Sequence, residues 1–159
     1  WRHLLKVTIM LDRSLIGKTY PECFFLVNKK RLIAFAKATQ QSDPIYFDED
    51  IAKKDGHPSI LAPLTFLTTT RYEQEKPYQY LDDLGISLGR ILHAKQEYTN
   101  YESIYAGDEL RMDSKIGDIY DKKDGMLEFV SFISNYKNQK NVLVAESVST
   151  LVLRNNEKK

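Results

Sequence analysis

From Arg90 to Leu153 the chain is strand-like almost throughout, and only short turns interrupt it. One stretch before this region, Ser59–Lys76, has the apolar spacing of an amphipathic helix of about four turns. Pro63 suits the first turn of that helix, where a missing N–H costs nothing, and Leu64 and Leu67 begin its apolar stripe. One buried helix followed by successive hairpins predicts an α+β fold in which a curled antiparallel sheet wraps around the helix.

Turn residues divide the strand-like region into predicted strands. Ala106-Gly107-Asp108 and Lys123-Asp124-Gly125 are turn signals, and the second is typical of a hairpin. The predicted strands are Arg90–Glu102, Glu109–Tyr120, Met126–Tyr136 and Val142–Leu153. Alternation in the second of them predicts one shared face for Leu110, Met112, Ile116 and Tyr120.

The first half of the chain predicts two shorter helices. Asn28 is a good N-cap for a helix whose apolar face carries Leu32, Phe35, Ala36 and Thr39. Asp48 caps a second helix over Glu49–Lys54, and Gly56 stands where a C-terminal glycine belongs. Pro77–Gly89 follows the central helix without a periodic pattern, so we expect a long loop that serves as a lid or an interface.

Length and composition set the class of protein. A chain of 159 residues with 42% hydrophobic and 28% charged residues is ordinary for one globular domain. We predict an N-terminal extension at 1–14, a single domain at 15–154 and a disordered tail at 155–159. The net charge of +1 gives no reason to expect nucleic acid or an acidic membrane as a partner.

The sequence indicates a cytoplasmic protein that needs no metal. A lone cysteine, Cys23, cannot form an internal disulfide, and this suits a reducing compartment. No apolar run is long enough to span a membrane, and the first residues lack the cleavage site of a secretory signal. His3, His57 and His93 lie far apart with no grouping of ligands near them, so we predict no metal and no cofactor.

Two stretches carry a family resemblance. Phe35–Thr70 resembles the MaoC-like family of hotdog-fold (R)-specific enoyl-thioester hydratases and 3-hydroxyacyl dehydratases, and the YAGDEL sequence of Tyr105–Leu110 resembles a turn in such proteins. The resemblance extends from about Gly17 to Arg154 and looks closest to the N-terminal-type branch, which includes non-catalytic subunits of mycobacterial heterodimeric dehydratases. It implies a hotdog sheet around a central α-helix at about Pro63–Lys76.

The same resemblance implies what the protein binds and with what it assembles. Its ligand would be an acyl-CoA or acyl-ACP thioester, interconverted between the (3R)-hydroxyacyl and trans-2-enoyl forms. Since hotdog sheets pair with one another, the resemblance also implies a homodimer, or a heterodimer with a catalytic MaoC-like subunit.

The catalytic motif of the family is altered in this chain. Active members carry G-D-x-N-P-[LIV]-H, in which the Asp and the His move a proton across the C2–C3 bond of the thioester. Alignment on Pro44 puts Gln41 at the Asp position and Tyr46 at the His position. Glutamine cannot take a proton near neutral pH, and a tyrosine hydroxyl is far from the imidazole range. The resemblance therefore predicts a scaffold whose own acid/base pair is replaced.

A second alteration lies at the start of the central helix. Active members begin it with A-H-G, where a backbone N–H polarises the thioester carbonyl. This chain has Ala62-Pro63-Leu64 at that place, so an N–H is lost and a leucine side chain is added. By position, the predicted substrate-binding residues are Gln41, Tyr46, Leu61, Ala62, Pro63, Leu64 and Thr65.

Three functions remain open from the sequence. The first is a substrate-binding subunit that depends on a catalytic hotdog partner, and the second is a self-sufficient homodimeric enzyme that uses Asp43, Tyr46 or His57. The third is a non-enzymatic module that binds acyl thioesters. Asp43 also reads as a turn residue before Pro44, and His57 as a loop residue. Tyr72, Tyr78 and Tyr80 line either an acyl channel or an interface.

Overall fold

The protein is built on one five-stranded antiparallel sheet. A computed structural model describes residues 10–155, and the strand order across its sheet is β1-β3-β4-β5-β2. The strands are β1 (Thr19–Leu26), β2 (Ile91–Asn100), β3 (Glu109–Lys122), β4 (Leu127–Lys137) and β5 (Leu143–Arg154). The predicted α+β class, the four later strands and the turn at Lys123-Asp124-Gly125, with all three residues at positive φ, are confirmed. β1 bulges between Tyr20 and Cys23, the place of Pro21, which cannot donate to the ladder.

Short helices precede and interrupt the strands. The α-helices are α1 (Lys29–Ala38), α2 (Glu49–Lys54) and α3 (Gln79–Asp83), and the 3₁₀ helices are Arg13–Leu15, Pro44–Tyr46, Phe66–Glu73 and Leu88–Arg90. The predicted N-caps are confirmed, because Asn28 Oδ1 accepts from the Arg31 amide at 3.1 Å and Asp48 Oδ1 accepts from the Asp50 amide at 2.9 Å. In the described range, no helix is long and apolar enough to cross a membrane.

The prediction for the central helix is wrong in type and in length. Instead of an α-helix over Ser59–Lys76 or Pro63–Lys76, the structure has the 3₁₀ helix Phe66–Glu73, which we call the central 3₁₀ helix. The residues before it are held in extended backbone, since Leu61 forms a bridge with Tyr105 and the Ala62 amide donates to Ile104 O at 2.8 Å. Leu64, predicted on the apolar stripe, is therefore exposed.

Three consecutive threonines explain the 3₁₀ geometry of the central helix. Thr69 Oγ1 donates to Phe66 O at 3.0 Å and Thr70 Oγ1 donates to Leu67 O at 2.7 Å. These hydroxyls occupy the carbonyls that an α-helix would offer to amides four residues later. Threonine also loses rotamer freedom in a helix, so the intrinsic propensity here favours a short, tight helix.

Two further details differ from the prediction. Tyr120 does not share a face with Leu110, because a bulge between Ile116 and Asp118 shifts the register and buries Ile119 instead. The predicted loop Pro77–Gly89 contains α3, whose Tyr80 and Leu81 are fully buried. Two adjacent apolar residues in a short polar segment give too weak a periodicity to reveal a helix of five residues.

Both ends of the described chain meet at one buried carboxylate. Glu128 accepts from the Leu11 amide at 2.7 Å and from Asn155 Nδ2 at 2.9 Å, and all three residues are buried. Leu11 also belongs to the same hydrophobic cluster as Tyr80. Residues 10–14 and Asn155 thus contact the domain, whereas the remainder of the predicted extension and tail, 1–9 and 156–159, lies outside the described residues.

Candidate functional site

A row of serines crosses the face of the sheet that the central 3₁₀ helix covers. Ser114 on β3 pairs with Ser134 on β4, and Ser134 pairs with Ser147 on β5. All three are buried, and the hydroxyl oxygens of Ser114 and Ser134 are 2.7 Å apart. On β2 the row ends at Tyr98, which pairs with Ser147. The hydrogen bond between Ser114 and Ser134 satisfies both of these hydroxyls at a buried position.

The serine row separates two hydrophobic clusters. On one side the paired Met112 and Tyr136 belong to the cluster that includes Phe66, and on the other side Ile116 and Phe132 belong to the cluster that includes Tyr80. Serine side chains are smaller than the apolar side chains on both sides. The space between the clusters is therefore left open and is lined with hydroxyl groups.

A cavity of about 440 Å³ fills this space between the central 3₁₀ helix and the sheet. We call it the serine cavity, and its volume is in the range of sites for small molecules. Its lining is formed by Leu67, Thr68, Arg71, Tyr72, Gln74, Tyr78, Leu88, Ile91, His93, Gln96, Tyr98, Met112, Phe132, Ser134, Tyr136, Ser147, Ser149 and Leu151. Apolar side chains stand at both ends, and polar groups stand between them.

Arg71 and His93 meet at one serine in this cavity. Arg71 Nη2 lies 3.4 Å from Ser149 Oγ, and His93 Nε2 lies 3.2 Å from the same oxygen. A histidine beside a serine is half of an activated nucleophile, but such a base needs a third group to orient it. Among residues 10–155, no Asp or Glu lines the serine cavity. The arrangement is thus suited to binding rather than to acid/base chemistry.

Two tyrosines form the rim of the cavity beside Arg71. The hydroxyls of Tyr72 and Tyr78 are 3.3 Å apart, and the Arg71 guanidinium lies 5.4 Å from the centroid of the Tyr78 ring. The hydrogen bond with Tyr72, together with the Arg71 charge, lowers the pKa of Tyr78. Tyr80, grouped with them in the sequence, does not line the cavity, because its ring is stacked on Phe132 in the core at 4.2 Å.

A smaller cavity of about 50 Å³ gathers most of the predicted substrate-binding residues. Its lining contains Tyr46, Leu61, Ala62, Pro63, Leu64, Leu67, Asn100, Glu102, Ser103 and Ile104. Leu67 lines both cavities, so the smaller one adjoins the serine cavity at that side chain. Gln41 and Thr65, also predicted here, do not line it.

Two backbone amides just after Pro63 have no partner among the described residues, and of the two residues only Leu64 lines the smaller cavity. The Leu61 amide donates to Ile45 O at 3.2 Å and the Ala62 amide to Ile104 O, and Pro63 has no N–H. Among residues 10–155, neither the Leu64 amide nor the Thr65 amide has a hydrogen-bond acceptor. Both precede the central 3₁₀ helix, where amide groups point away from the helix without an intrahelical partner.

The other predicted catalytic candidates lie elsewhere and have structural partners. The Gln41 amide donates to Ala36 O at 2.9 Å and closes α1. Asp43 accepts from the Ile45 amide at 3.1 Å in an exposed turn, and His57 Nδ1 lies 2.9 Å from Tyr105 Oη. None of these side chains lines either cavity. Across residues 10–155, no group of three or more His, Cys, Asp or Glu side chains is arranged to hold a metal ion.

Sequence reasoning missed the polar half of the site. The sequence assigns no role to Arg71 or to the serines within strands, and it treats His93 only as one of three histidines that lie far apart. The available signal was Ser147 and Ser149 at alternate positions of a strand whose neighbouring inward positions, Ala145 and Leu151, are apolar.

Comparison with known proteins places this geometry in a family. Residues 14–147 match the model of the FAS1-like dehydratase domain region. Over 145 residues the chain is 30% identical to a UPF0336 protein of Saccharopolyspora erythraea, covering 91% of this chain and 92% of that protein.

Two solved structures show the same fold. The crystal structure of the C-terminally truncated HadBC complex, a (3R)-hydroxyacyl-ACP dehydratase from Mycobacterium tuberculosis, contains a chain with a TM-score of 0.70 and 26% identity, covering 90% of this chain and 99% of that one. A MaoC-like dehydratase has a TM-score of 0.77 at 21% identity, covering 89% of this chain and 42% of that one. The hotdog fold expected from the resemblance is thereby confirmed, and this chain belongs to the FAS1-like dehydratase domain family.

Proposed function

We propose that this chain is the substrate-binding subunit of a (3R)-hydroxyacyl-thioester dehydratase or hydratase. In this role the serine cavity holds the acyl chain, and the smaller cavity at Tyr46 and Leu64 lies beside the thioester. A related hotdog subunit supplies the Asp and the His that move the proton. The thioester is carried by coenzyme A or by acyl carrier protein.

The observation that carries this proposal is a ligand-sized cavity with no acid/base pair beside it. The serine cavity has a histidine but no carboxylate, and the smaller cavity has the exposed carboxylate of Glu102 but no histidine. Gln41 and Tyr46 stand at the two catalytic positions of the family motif. Substrate binding and chemistry would therefore be divided between two chains.

The edges of the sheet support the assignment of a docking surface. Both edge strands have a register shift, at Tyr20–Cys23 in β1 and at His93–Lys95 in β2, but β1 also contains Pro21, which cannot donate to a neighbouring strand. β2 at the other edge has ten residues and no proline, and Leu92 on it is 72% exposed. Tyr101 just beyond β2 is also exposed. We assign the β2 edge to the partner subunit, as the HadBC structure is itself described as a complex.

A mixing experiment tests the proposal. Hydration of an enoyl-thioester series would be measured with the pure chain and again after addition of a hotdog chain from the same genome that has an intact Asp/His motif. We expect no turnover by the pure chain, and turnover by the mixture at a level above that of the added chain alone. Equal turnover with and without this chain would refute the role of a binding subunit.

One observation favours a self-sufficient enzyme as a second candidate. Glu102 and Tyr46 line the same small cavity next to the Leu64 amide, so a carboxylate and a hydroxyl are available beside an N–H donor. This candidate requires turnover by the pure chain that is lost in Glu102→Gln. A third outcome, binding of acyl thioesters without turnover in any mixture, would indicate a non-enzymatic binding module.

A further inference from the structure

The serine cavity has an unbalanced set of charged groups. In the part of the chain that the structure describes, its lining has two basic side chains, Arg71 and His93, and no Asp or Glu. The hydroxyl and amide groups around them are uncharged. A ligand that carries negative charge would therefore meet a cation in the cavity and no fixed anion.

Arg71 has no carboxylate partner among the described residues, and unlike Arg90, Arg111 and Arg154, which also have none, it lines the serine cavity. Arg31 is ion-paired with Glu73 and Arg13 with Asp121, whereas no carboxylate of residues 10–155 lies within ion-pairing distance of Arg71. Its contacts are Ser149 Oγ at 3.4 Å and the face of the Tyr78 ring. A half-buried guanidinium without a counter-charge is costly, and its donors match the geometry of a carboxylate.

Arg71 also stands away from the expected position of the thioester. In a 3₁₀ helix the rise is about 2 Å per residue, so Arg71 is about 10 Å along the central 3₁₀ helix from Phe66. The smaller cavity lies on the other side of Phe66, at Pro63 and Leu64. An anionic group at Arg71 would thus belong to the distal part of the acyl chain, and the phosphate of the carrier would remain on the thioester side.

We infer that the serine cavity selects acyl thioesters whose chain carries a carboxylate at its far end, and that Arg71 receives this carboxylate. This inference rests on the proposed function. Ser149 adds a hydroxyl beside the guanidinium. In this arrangement Leu67 contacts the acyl chain of the ligand where the two cavities adjoin. Arg71 is then a specificity-determining residue rather than a catalytic one.

A matched pair of ligands tests the inference on the full chain. The probes are the pantetheine thioester of dodecanoic acid and the mono-pantetheine thioester of dodecanedioic acid, which differ at the chain end and carry no phosphate. Calorimetry would measure both affinities in the unaltered protein, in Arg71→Gln and in Arg90→Gln. Arg90 is the matched control because it is exposed and outside the cavity lining.

We expect the affinity for the carboxylate-ended thioester to be at least about tenfold higher than that for the methyl-ended thioester. This difference corresponds to one charge-assisted hydrogen bond. Arg71→Gln should abolish this preference, Arg71→Lys should keep part of it, and Arg90→Gln should leave it intact. Thermal unfolding of each variant checks that it is folded. If Arg71→Gln is not folded, Arg71→Lys still tests the inference.

Four results would overturn the inference, and they can be told apart. Equal binding of the two probes, or a preference that survives in Arg71→Gln, refutes it and leaves the proposed function standing. A loss of affinity in Arg71→Gln only for a phosphopantetheine thioester would assign Arg71 to the phosphate of the carrier. Binding of neither probe would refute the inference together with the acyl-binding function.

Discussion

The hydroxyl oxygens of Ser114 and Ser134 are 2.7 Å apart, in register on neighbouring strands beneath the central 3₁₀ helix. This pair divides the hydrophobic core into two clusters where a sheet of this size would ordinarily bury one. Serine side chains at these buried positions make fewer apolar contacts than larger side chains would, and they leave space for the cavity. The proposed binding of an acyl chain accounts for this division of the core.

Ser134→Val is predicted to lower the affinity for acyl thioesters while changing the free energy of unfolding only slightly. The variant loses one hydrogen bond and gains buried apolar surface, so the free energy of unfolding should change by less than about 1 kcal/mol. Ser114 keeps Gln74 Nε2 as a neighbour at 3.4 Å. Affinity for acyl thioesters should fall, since valine occupies part of the cavity. Urea unfolding and calorimetry measure the two effects, with Ser87→Val, exposed and outside the cavity, as the control.

Gly117→Ala is predicted to destabilise the fold by about 1–3 kcal/mol through overpacking. A Cβ at this bulge would lie 2.5 Å from Ile133 Cδ1 and 2.9 Å from Ser131 Oγ. Gly89→Ala is the matched control, because a Cβ there would meet no atom within 4 Å. Equal midpoints of urea unfolding for the two variants would contradict this explanation of the bulge.

Asp83 is predicted to make stability depend on pH on the acid side. Hydrogen bonds from Lys18, Tyr20 and Gln79 lower the pKa of Asp83 from 3.8 to about 2. Between those two pH values the unfolded chain binds more protons than the folded protein, so the free energy of unfolding falls as the pH falls through this range. Asp83→Asn should reduce that slope in urea titrations.

The neighbouring Asp82→Asn serves as the control for this measurement. Asp82 is exposed and has no ion pair among the described residues. Its substitution should leave the acid slope as it is in the unaltered protein. If both variants show the same slope, the contacts of Asp83 do not account for the acid sensitivity.

Tyr46→Phe and His57→Ala are predicted to leave kcat of the mixed enzyme unchanged. Removing a general acid or base would cost about 100-fold to 10,000-fold. His57 is instead engaged with Tyr105 Oη at 2.9 Å, so its loss should lower stability rather than turnover. Steady-state hydration rates with an added catalytic chain measure this. A lower kcat in either variant would contradict the prediction and would indicate a catalytic role for that residue.

The sequence predicted the elements whose signals are local. Asn28, Asp48 and the turn at Lys123-Asp124-Gly125 each act through a cap or a turn conformation that neighbouring residues determine, and each was found where expected. The resemblance supplied the fold, which the comparisons confirm. The positions of Tyr46 and Leu61–Leu64 around one small cavity also follow its alignment.

The features that sequence reasoning missed depend on distant contacts. The shortened central helix results from competition by threonine hydroxyls and from the bridge between Leu61 and Tyr105, which are far apart in the chain. The serine cavity requires the register of four strands, and no single strand reveals that its serines align. The cavity-facing position of Arg71 could not be predicted from sequence, because it depends on the type of the helix that carries it.

The most direct test of the division of labour is the spectrophotometric hydration of enoyl thioesters by the pure chain, and then by its mixture with a hotdog chain that carries an intact Asp/His motif. Turnover that requires both chains is the result we predict, because neither cavity of this chain combines a histidine with a carboxylate. Full turnover by the pure chain would contradict it and would direct attention to Glu102 and Tyr46.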